Sequence, residues 1–314
     1  MRELAIIIVS YNSASWLTPC LESIYAHIGD VCLDVVVVDN GSADNTVDLV
    51  ERDFPQVRVV RSQNRGFGAG NNAGLGIVTA PYVLFLNPDT EILAGTLSTL
   101  VELIEARPAV GLLGCRQVGP AGDLHPTIRR FPTATRYLFS ALGSERLPFD
   151  ASWLGERVRD PARYESEVSC DWTSGSFMLA RRKAVMAAGG FDERYFLFSE
   201  EPDLCLRLRR TGWEVRHVPH MTILHHAGKA SLDERLAAQD AYSRKQYLTK
   251  NLPPWRRRAA LAAYALGHIL RASYVPSRGA LAEERRARAR RVFRTLLGTV
   301  PPPFERVLSA EARD

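Results

Sequence analysis

Four groups of residues in this 314-residue chain have the types and spacing for chemistry. Asn87-Pro88-Asp89 follows the apolar run Tyr82 to Leu86, which places the Asp89 carboxylate at the end of a buried strand. Open α/β sheets bind ligands at that edge. A hard cation such as Mg²⁺ or Mn²⁺ takes oxygen ligands, often only one or two from the protein, with phosphate oxygens and water completing its shell. Asp89 is therefore a candidate ligand, although Asn-Pro-Asp also simply makes a turn. Asp39 likewise ends the run Val35 to Val38, where it can accept hydrogen bonds from a base or ribose or cap its own turn.

Between these acids, Asn64-Arg65-Gly66-Phe67-Gly68-Ala69-Gly70-Asn71-Asn72 combines close-approach glycines with a cation and amides, a composition that can face a diphosphate. The alternative is a flexible loop, which has little need of Arg, Phe and two consecutive Asn. Glu200-Glu201-Pro202-Asp203 is the second acidic cluster. Proline suits a first helical position and disfavours a helical predecessor, so Glu201 is expected as the helix cap, ionised at the helix mouth and able to accept a proton. Capping alone is the competing role. His225 and His226 end the last apolar run of this region, and their alternation on a strand lets one imidazole reach a metal while the other faces away.

The elements that must position these groups follow from hydrophobic periodicity. Leu4 to Val9, Val35 to Val38, Val57 to Val60, Tyr82 to Leu86 and Val110 to Cys115 read as strands. Several are too apolar to face solvent, as in a mainly parallel sheet covered on both faces. Helices separate them: one capped by Ser15, with Pro19 in its first turn and Leu17, Leu21, Ile24 and Ile28 on one face; one capped by Ser42 with Asp44 in its first turn; and one marked by Leu97, Leu100, Val101 and Ile104. Residues 116–170 lack periodicity and are rich in Pro, Gly, Arg and aromatic residues, as substrate-shaping loops are. A strand Ser176 to Ala180, a short helix ending at Gly189-Gly190, a helix Pro202 to Arg210 and strands at Glu214 to Val218 and Thr222 to His225 complete an α/β domain spanning 1–231; residues 232–314 read as a helical, basic extension.

Five scattered cysteines argue against a disulfide framework or zinc site and favour a reducing compartment. The opening apolar run lacks a signal peptide's basic lead and cleavage site. No stretch reaches the ~20 apolar residues needed to cross a bilayer. Residues 251–314 hold 13 Arg against 5 acids, a charge of +8, so the total of +5 leaves −3 for residues 1–250. Arg256-Arg257-Arg258 beside Trp255, ahead of an apolar segment, suggests a peripheral helix on an anionic membrane surface; the alternative is a solvated helix packed on the domain. No reader motif supports nucleic-acid binding.

Taken in order, Ile8 through Asn12, Val38 through Ser42, Asn64 through Asn72, Leu86 through Asp89, Asp171 through Gly175, Gly190 through Glu193, Glu200 through Cys205 and His225 through Ser231 resemble glycosyltransferase family 2, the inverting enzymes of GT-A (Rossmann-like) fold, and especially its bacterial rhamnosyltransferase-like branch. The resemblance implies a nucleotide-diphosphate sugar donor held by Ser10, Tyr11, Asn12, Asp39, Asn64, Arg65, Gly66, Phe67, Asn71 and Asn87. It further implies an acceptor or sugar pocket at Asp171, Trp172 and Gly175, a divalent metal on Asp89 and His225, and a catalytic base at Glu201 with Glu200 as the alternative. Rhamnose from a deoxythymidine-diphosphate donor, a glycan or lipid-linked acceptor and a site on the cytosolic face of the inner membrane are expectations of the same kind. Two departures stand out: Asn87 replaces the first acid of the family's metal motif, and Glu201 replaces its usual Asp. A dehydrogenase is excluded because the Gly66-x-Gly68 pair does not lie in the first βα turn, which here is Ser10-Tyr11-Asn12-Ser13. An inactive sugar-binding scaffold of the same fold is the remaining rival.

Overall fold

The computed structural model describes residues 2–142, 154–226, 234–273, 280–301 and 304. Its elements in chain order are β1 (Arg2–Ser10), α1 (Ala14–Ala26), β2 (Val31–Asp39), α2 (Thr46–Asp53), β3 (Arg58–Arg61), α3 (Phe67–Ile77), β4 (Tyr82–Leu86), β5 (Thr90–Ala94), α4 (Leu97–Glu105), β6 (Val110–Val118), α5 (Ala134–Ala141), β7 (Val168–Ser169), β8 (Phe177–Arg181), α6 (Arg182–Ala187), α7 (Glu200–Arg210), β9 (Glu214–His225), α8 (Glu234–Asn251), α9 (Pro254–Ser273) and α10 (Ala280–Leu297). The chain divides into two compact units. The first comprises Met1–Arg129, Asp160–Glu193 and Glu200–Ala227, the second Arg130–Arg159, Arg194–Ser199 and Gly228–Asp314. The second unit thus draws in two segments besides the C-terminal stretch, which a single boundary near residue 231 does not express.

The first unit is built on a sheet of order β3-β2-β1-β4-β8-β6-β9-β5, with β7 paired to β9. Strands β3, β2, β1 and β4 run parallel, and β8 joins them antiparallel. The central parallel strands are buried because their residues are almost uniformly apolar: every residue of β4 and the last seven of β1 are buried. Register places Ser10 opposite Asp39 and Ile8 opposite Leu86, so the acids expected at strand ends emerge along one edge.

Several local expectations are corrected. α1 starts at Ala14 after Ser13, whose carbonyl accepts from the amides of Trp16 and Leu17, so Pro19 lies inside the helix and Ile28 beyond it. α2 starts after Asn45; the Asp44 carboxylate stands outside it, accepting from the amides of Thr46 (3.1 Å) and Ala14 (3.3 Å). The two strands expected at 214–225 are one strand, β9, with a register shift between the pairs Cys115↔Val218 and Arg116↔Thr222. Pro219 lies in the skipped stretch and has no amide hydrogen to give the ladder.

The glycine-rich segment is helix from Phe67 on, not loop. Glycine costs a helix about 1 kcal/mol relative to alanine, and here close packing offsets it. A Cβ at Gly70 would lie 2.8 Å from a Val9 methyl, and one at Gly74 would lie 2.6 Å from an Ile7 methyl. The glycines let α3 settle onto β1. Of the five cysteines, Cys20, Cys115, Cys170 and Cys205 are buried and Cys32 is exposed; all are free.

In the second unit, α5 and α9 pack together, as do α8 and α10. Arg244 on α8 reaches Asp240 (2.9 Å), Glu156 (2.9 Å) and the Tyr137 hydroxyl (3.1 Å), while the Tyr264 hydroxyl donates to Asp240 (2.9 Å). No helix among the described residues is long and apolar enough to cross a membrane.

Candidate active site

β5 and β9 pair antiparallel with Thr90 opposite His225, an arrangement that sets Asp89 beside the strand end carrying both histidines. His225 Nε2 stands 3.4 Å from Asp89 Oδ1, and the His226 amide donates to the Asp89 carbonyl at 3.0 Å. His226 turns the other way, with its Nε2 2.7 Å from Glu91 Oε1 and its ring against Trp16. Of the two histidines, it is His225 that faces the acid. Burial pushes the Asp89 carboxyl up, but hydrogen bonding and charge from His225, with smaller help from its own amide and His226, outweigh it and hold the group below the usual aspartate value.

Asp89 and His225 form a donor set of one carboxylate and one imidazole. Among the described residues no group of three or more His, Cys, Asp or Glu is arranged to hold a metal. The pair fits a cation such as Mg²⁺ or Mn²⁺ that takes its remaining ligands from phosphate and water.

The Asn87 amide donates to the Ser176 carbonyl at 3.1 Å, and one residue earlier the Gly175 amide donates to Glu201 Oε1 at 3.2 Å. Two hydrogen bonds therefore tie the Asn-Pro-Asp turn to the acid at the start of α7. A Cβ at Gly175 would lie 2.7 Å from Glu201 Oε1, so only glycine leaves room for this contact. Glu201 is not the cap that the sequence suggests. α7 begins at Glu200 and Pro202 is its third residue, tolerated there because the first four helical amides have no intrahelical acceptor anyway. Glu200 is buried at 2% exposure, whereas Glu201 is partly open. Phe198 and Ser199, just before the helix, hold left-handed backbone with φ of 68° and 71°, a conformation non-glycine residues adopt at a cost.

Asp39 braces its own turn: Oδ2 accepts from the amides of Gly41 (3.1 Å) and Ser42 (3.0 Å), and Oδ1 accepts from the Ser42 hydroxyl. A carboxylate accepts about four hydrogen bonds, so about one position remains. Ser10 is buried, Tyr11 is 54% exposed, and the Asn12 side chain accepts from the Ala43 amide at 2.8 Å. Asn64 accepts from the Gly66 amide, Arg65 pairs with Glu193 at 2.8 Å, Phe67 stands edge-on to Phe191, and Asn71 Nδ2 donates to the Phe67 carbonyl. Asn72 clamps the backbone of Phe191, accepting from its amide (2.8 Å) and donating to its carbonyl (2.9 Å). Asp171 and Trp172 bond through their amides to the Arg129 carbonyl, and the Arg129 guanidinium lies 5.3 Å from the Trp172 ring centre. Asp203 pairs with Arg207 at 2.7 Å, and Arg207 also binds the Gly190 carbonyl, which gives that acid a structural task. Ala227 to Ser231, the end of the last motif, lie outside the described residues.

Sequence reading missed several neighbours. The His125 ring stands 5.8 Å from that of His225. Gln117 Oε1 accepts from the Ser176 hydroxyl at 2.8 Å, and Ser176 also bonds Ser174. His125 lies in the aperiodic stretch 116–170, where no pattern marks one residue above another. Glu91 had a signal, its position two residues beyond Asp89.

A parallel half-sheet joined to a mixed half, with helices packed around them, is the GT-A architecture of glycosyltransferases. A mannosyltransferase from Pyrobaculum calidifontis, solved with GDP-Man and Mn²⁺, shares the fold with a TM-score of 0.56 at 17% identity, covering 95% of this chain and 88% of its own. The family model for Glycosyl transferase family 2 matches residues 5–158, just under half of the chain. It is 29% identical to the N-acetylglucosaminyl-diphospho-decaprenol L-rhamnosyltransferase of Mycobacterium tuberculosis over 92% of this chain and 97% of the relative. It is 27% identical to the rhamnosyltransferase WbbL of Escherichia coli K12 over 71% of this chain and 83% of that one. The chain is a glycosyltransferase of rhamnosyltransferase-like type.

Proposed function

We propose that this enzyme transfers rhamnose from a deoxythymidine-diphosphate donor to a hydroxyl of a lipid-linked sugar in cell-surface polysaccharide synthesis, working at the cytosolic face of a membrane with inversion at the anomeric carbon. The mycobacterial relative's name, with its diphospho-decaprenol acceptor, supports the acceptor class and the sugar. The observation that carries the chemistry is the pair of hydrogen bonds running from Asn87 through Ser176 and Gly175 to Glu201, which holds a candidate diphosphate-side acid and a candidate base to one frame.

In this reading Tyr11 offers an exposed ring face to the base, and Asp39, with Ser10 and Asn12 beside it, holds the nucleoside. Asn64, Arg65, Gly66, Phe67, Asn71 and Asn87 border the donor, and Asp171, Trp172 and Gly175 shape the sugar or acceptor pocket. Asp89 and His225 would hold the divalent metal, which when bound supplies positive charge to the leaving diphosphate. Glu201, which accepts a hydrogen bond from the Gly175 amide, takes the acceptor hydroxyl's proton as that oxygen attacks the face opposite the nucleotide.

Glu201→Gln tests the assignment, because it keeps size but cannot accept the proton. Transfer falls by ~10²–10⁴-fold while donor binding is kept. Full transfer by this variant, or a product with retained anomeric configuration, overturns the mechanism. A panel of nucleotide sugars assayed with a short-chain lipid-diphosphate acceptor decides the donor.

A further inference from the structure

α9 turns an apolar stripe outward. Positions 255, 259, 262, 266 and 269–270 recur at helical spacing and share one face. Trp255 is 66% exposed, Leu266 38%, Ile269 47% and Leu270 37%, and Ala259 and Ala262 are exposed between them. The opposite face anchors the helix: Ala260 is buried, the Tyr264 hydroxyl binds Asp240, and a Cβ at Gly267 would lie 3.3 Å from that of Ala141 on α5. Leu138 on α5 and Leu142 just beyond it are also exposed. No acid occurs between Pro254 and Ser273, and Arg256 and Arg258 are exposed at the stripe's start, Arg256 lying 4.9 Å from the Trp255 ring centre.

A second copy of the chain fits this surface poorly. Isologous pairing would set one acid-free helix against another and leave the arginines with no carboxylate. A helix with a tryptophan, long aliphatic side chains and flanking arginines is instead matched to a bilayer interface, with phosphates at one depth and acyl chains at the next. We propose that α9 lies in the headgroup region of an anionic bilayer, with Trp255, Leu266, Ile269 and Leu270 inserted and Arg256 and Arg258 on lipid phosphates. This deepens the proposed function and rests on its lipid-linked acceptor for purpose, but its test needs no sugar.

Flotation of the full chain with vesicles of phosphatidylcholine alone, or mixed with phosphatidylglycerol, measures the partition directly. Binding is expected to the mixed vesicles and to be weak to the neutral ones. Leu266→Glu with Ile269→Glu lowers the mixed-vesicle partition at least about tenfold. Arg256→Gln with Arg258→Gln lowers it and flattens its dependence on salt. Circular dichroism melts matching the unaltered protein confirm that the variants fold. Unchanged partition in the Leu266/Ile269 variant overturns the proposal, as does a dimer in size-exclusion chromatography that this variant disperses, since the face would then belong to a second copy. Vesicle binding with no sugar transfer would instead sink the proposed function and leave this surface standing.

Discussion

At the scale of single residues, acids at strand ends were legible because a buried apolar run leaves the polar residues that follow it at the sheet edge. Asp39 and Asp89 stand there. The partner that closes around Glu201 was not legible as a contact, because it depends on the approach of residue 175 to a helix 26 positions away. Gly175 makes that approach testable. A methyl group there would lie 2.7 Å from Glu201 Oε1 and 2.9 Å from its Cγ, both on a flexible side chain that gives way before backbone does. Gly175→Ala should therefore leave the fold and the donor KM nearly unchanged and lower kcat by ~10–100-fold, since displacing a catalytic group by about 1 Å carries that penalty. Steady-state kinetics with the donor varied checks the split; a raised donor KM at normal kcat would place Gly175 in donor binding instead.

Elements were read from periodicity, and α4 shows why that works: Leu97, Leu100, Val101 and Ile104 are all buried, on one face. α3 shows where it fails, because glycines that serve close packing on Val9 and Ile7 look the same in sequence as glycines of a loop. β5 and β7 went unread because they are short and take their identity from pairing with β9. Between elements, Glu167 bridges Arg107 beyond α4 (2.6 Å) and Arg216 on β9 (2.8 Å). Burial pushes its carboxyl up, but hydrogen bonds from both arginines outweigh it and hold the group below the ordinary value of 4.5. A depressed carboxyl stabilises the fold fully above its unfolded value, and the contribution fades as pH falls through the folded one. Glu167→Gln should cost on the order of 1 kcal/mol at neutral pH, shrinking toward zero as the medium is acidified below 4.5. Urea melts at both pH values check it; a pH-independent difference would assign the loss to packing.

For the whole molecule, charge and hydrophobic content excluded classes rather than naming one, and the division into two units was not visible as a boundary, since segments 130–159 and 194–199 belong with the C-terminal helices. Ligand linkage acts at this scale. A donor nucleotide with Mn²⁺ at about 100 times its Kd stabilises the folded chain by about 2.7 kcal/mol, so thermal melting should move upward on adding both together. Asp89→Ala should abolish most of that shift while melting normally alone; an undiminished shift would remove Asp89 from the diphosphate site.

The arrangement of the five thiols has a practical consequence. Burial raises Cys20 and Cys205 to about 12, and it raises Cys115 and Cys170 as well, so all four stay protonated and shielded near neutrality while Cys32 stands in solvent. Thiolate and access are both needed for alkylation. The native enzyme thus presents a single attachment point for a maleimide dye on β2, and the ratio of labels taken up before and after denaturation reads directly how many molecules in a preparation are folded.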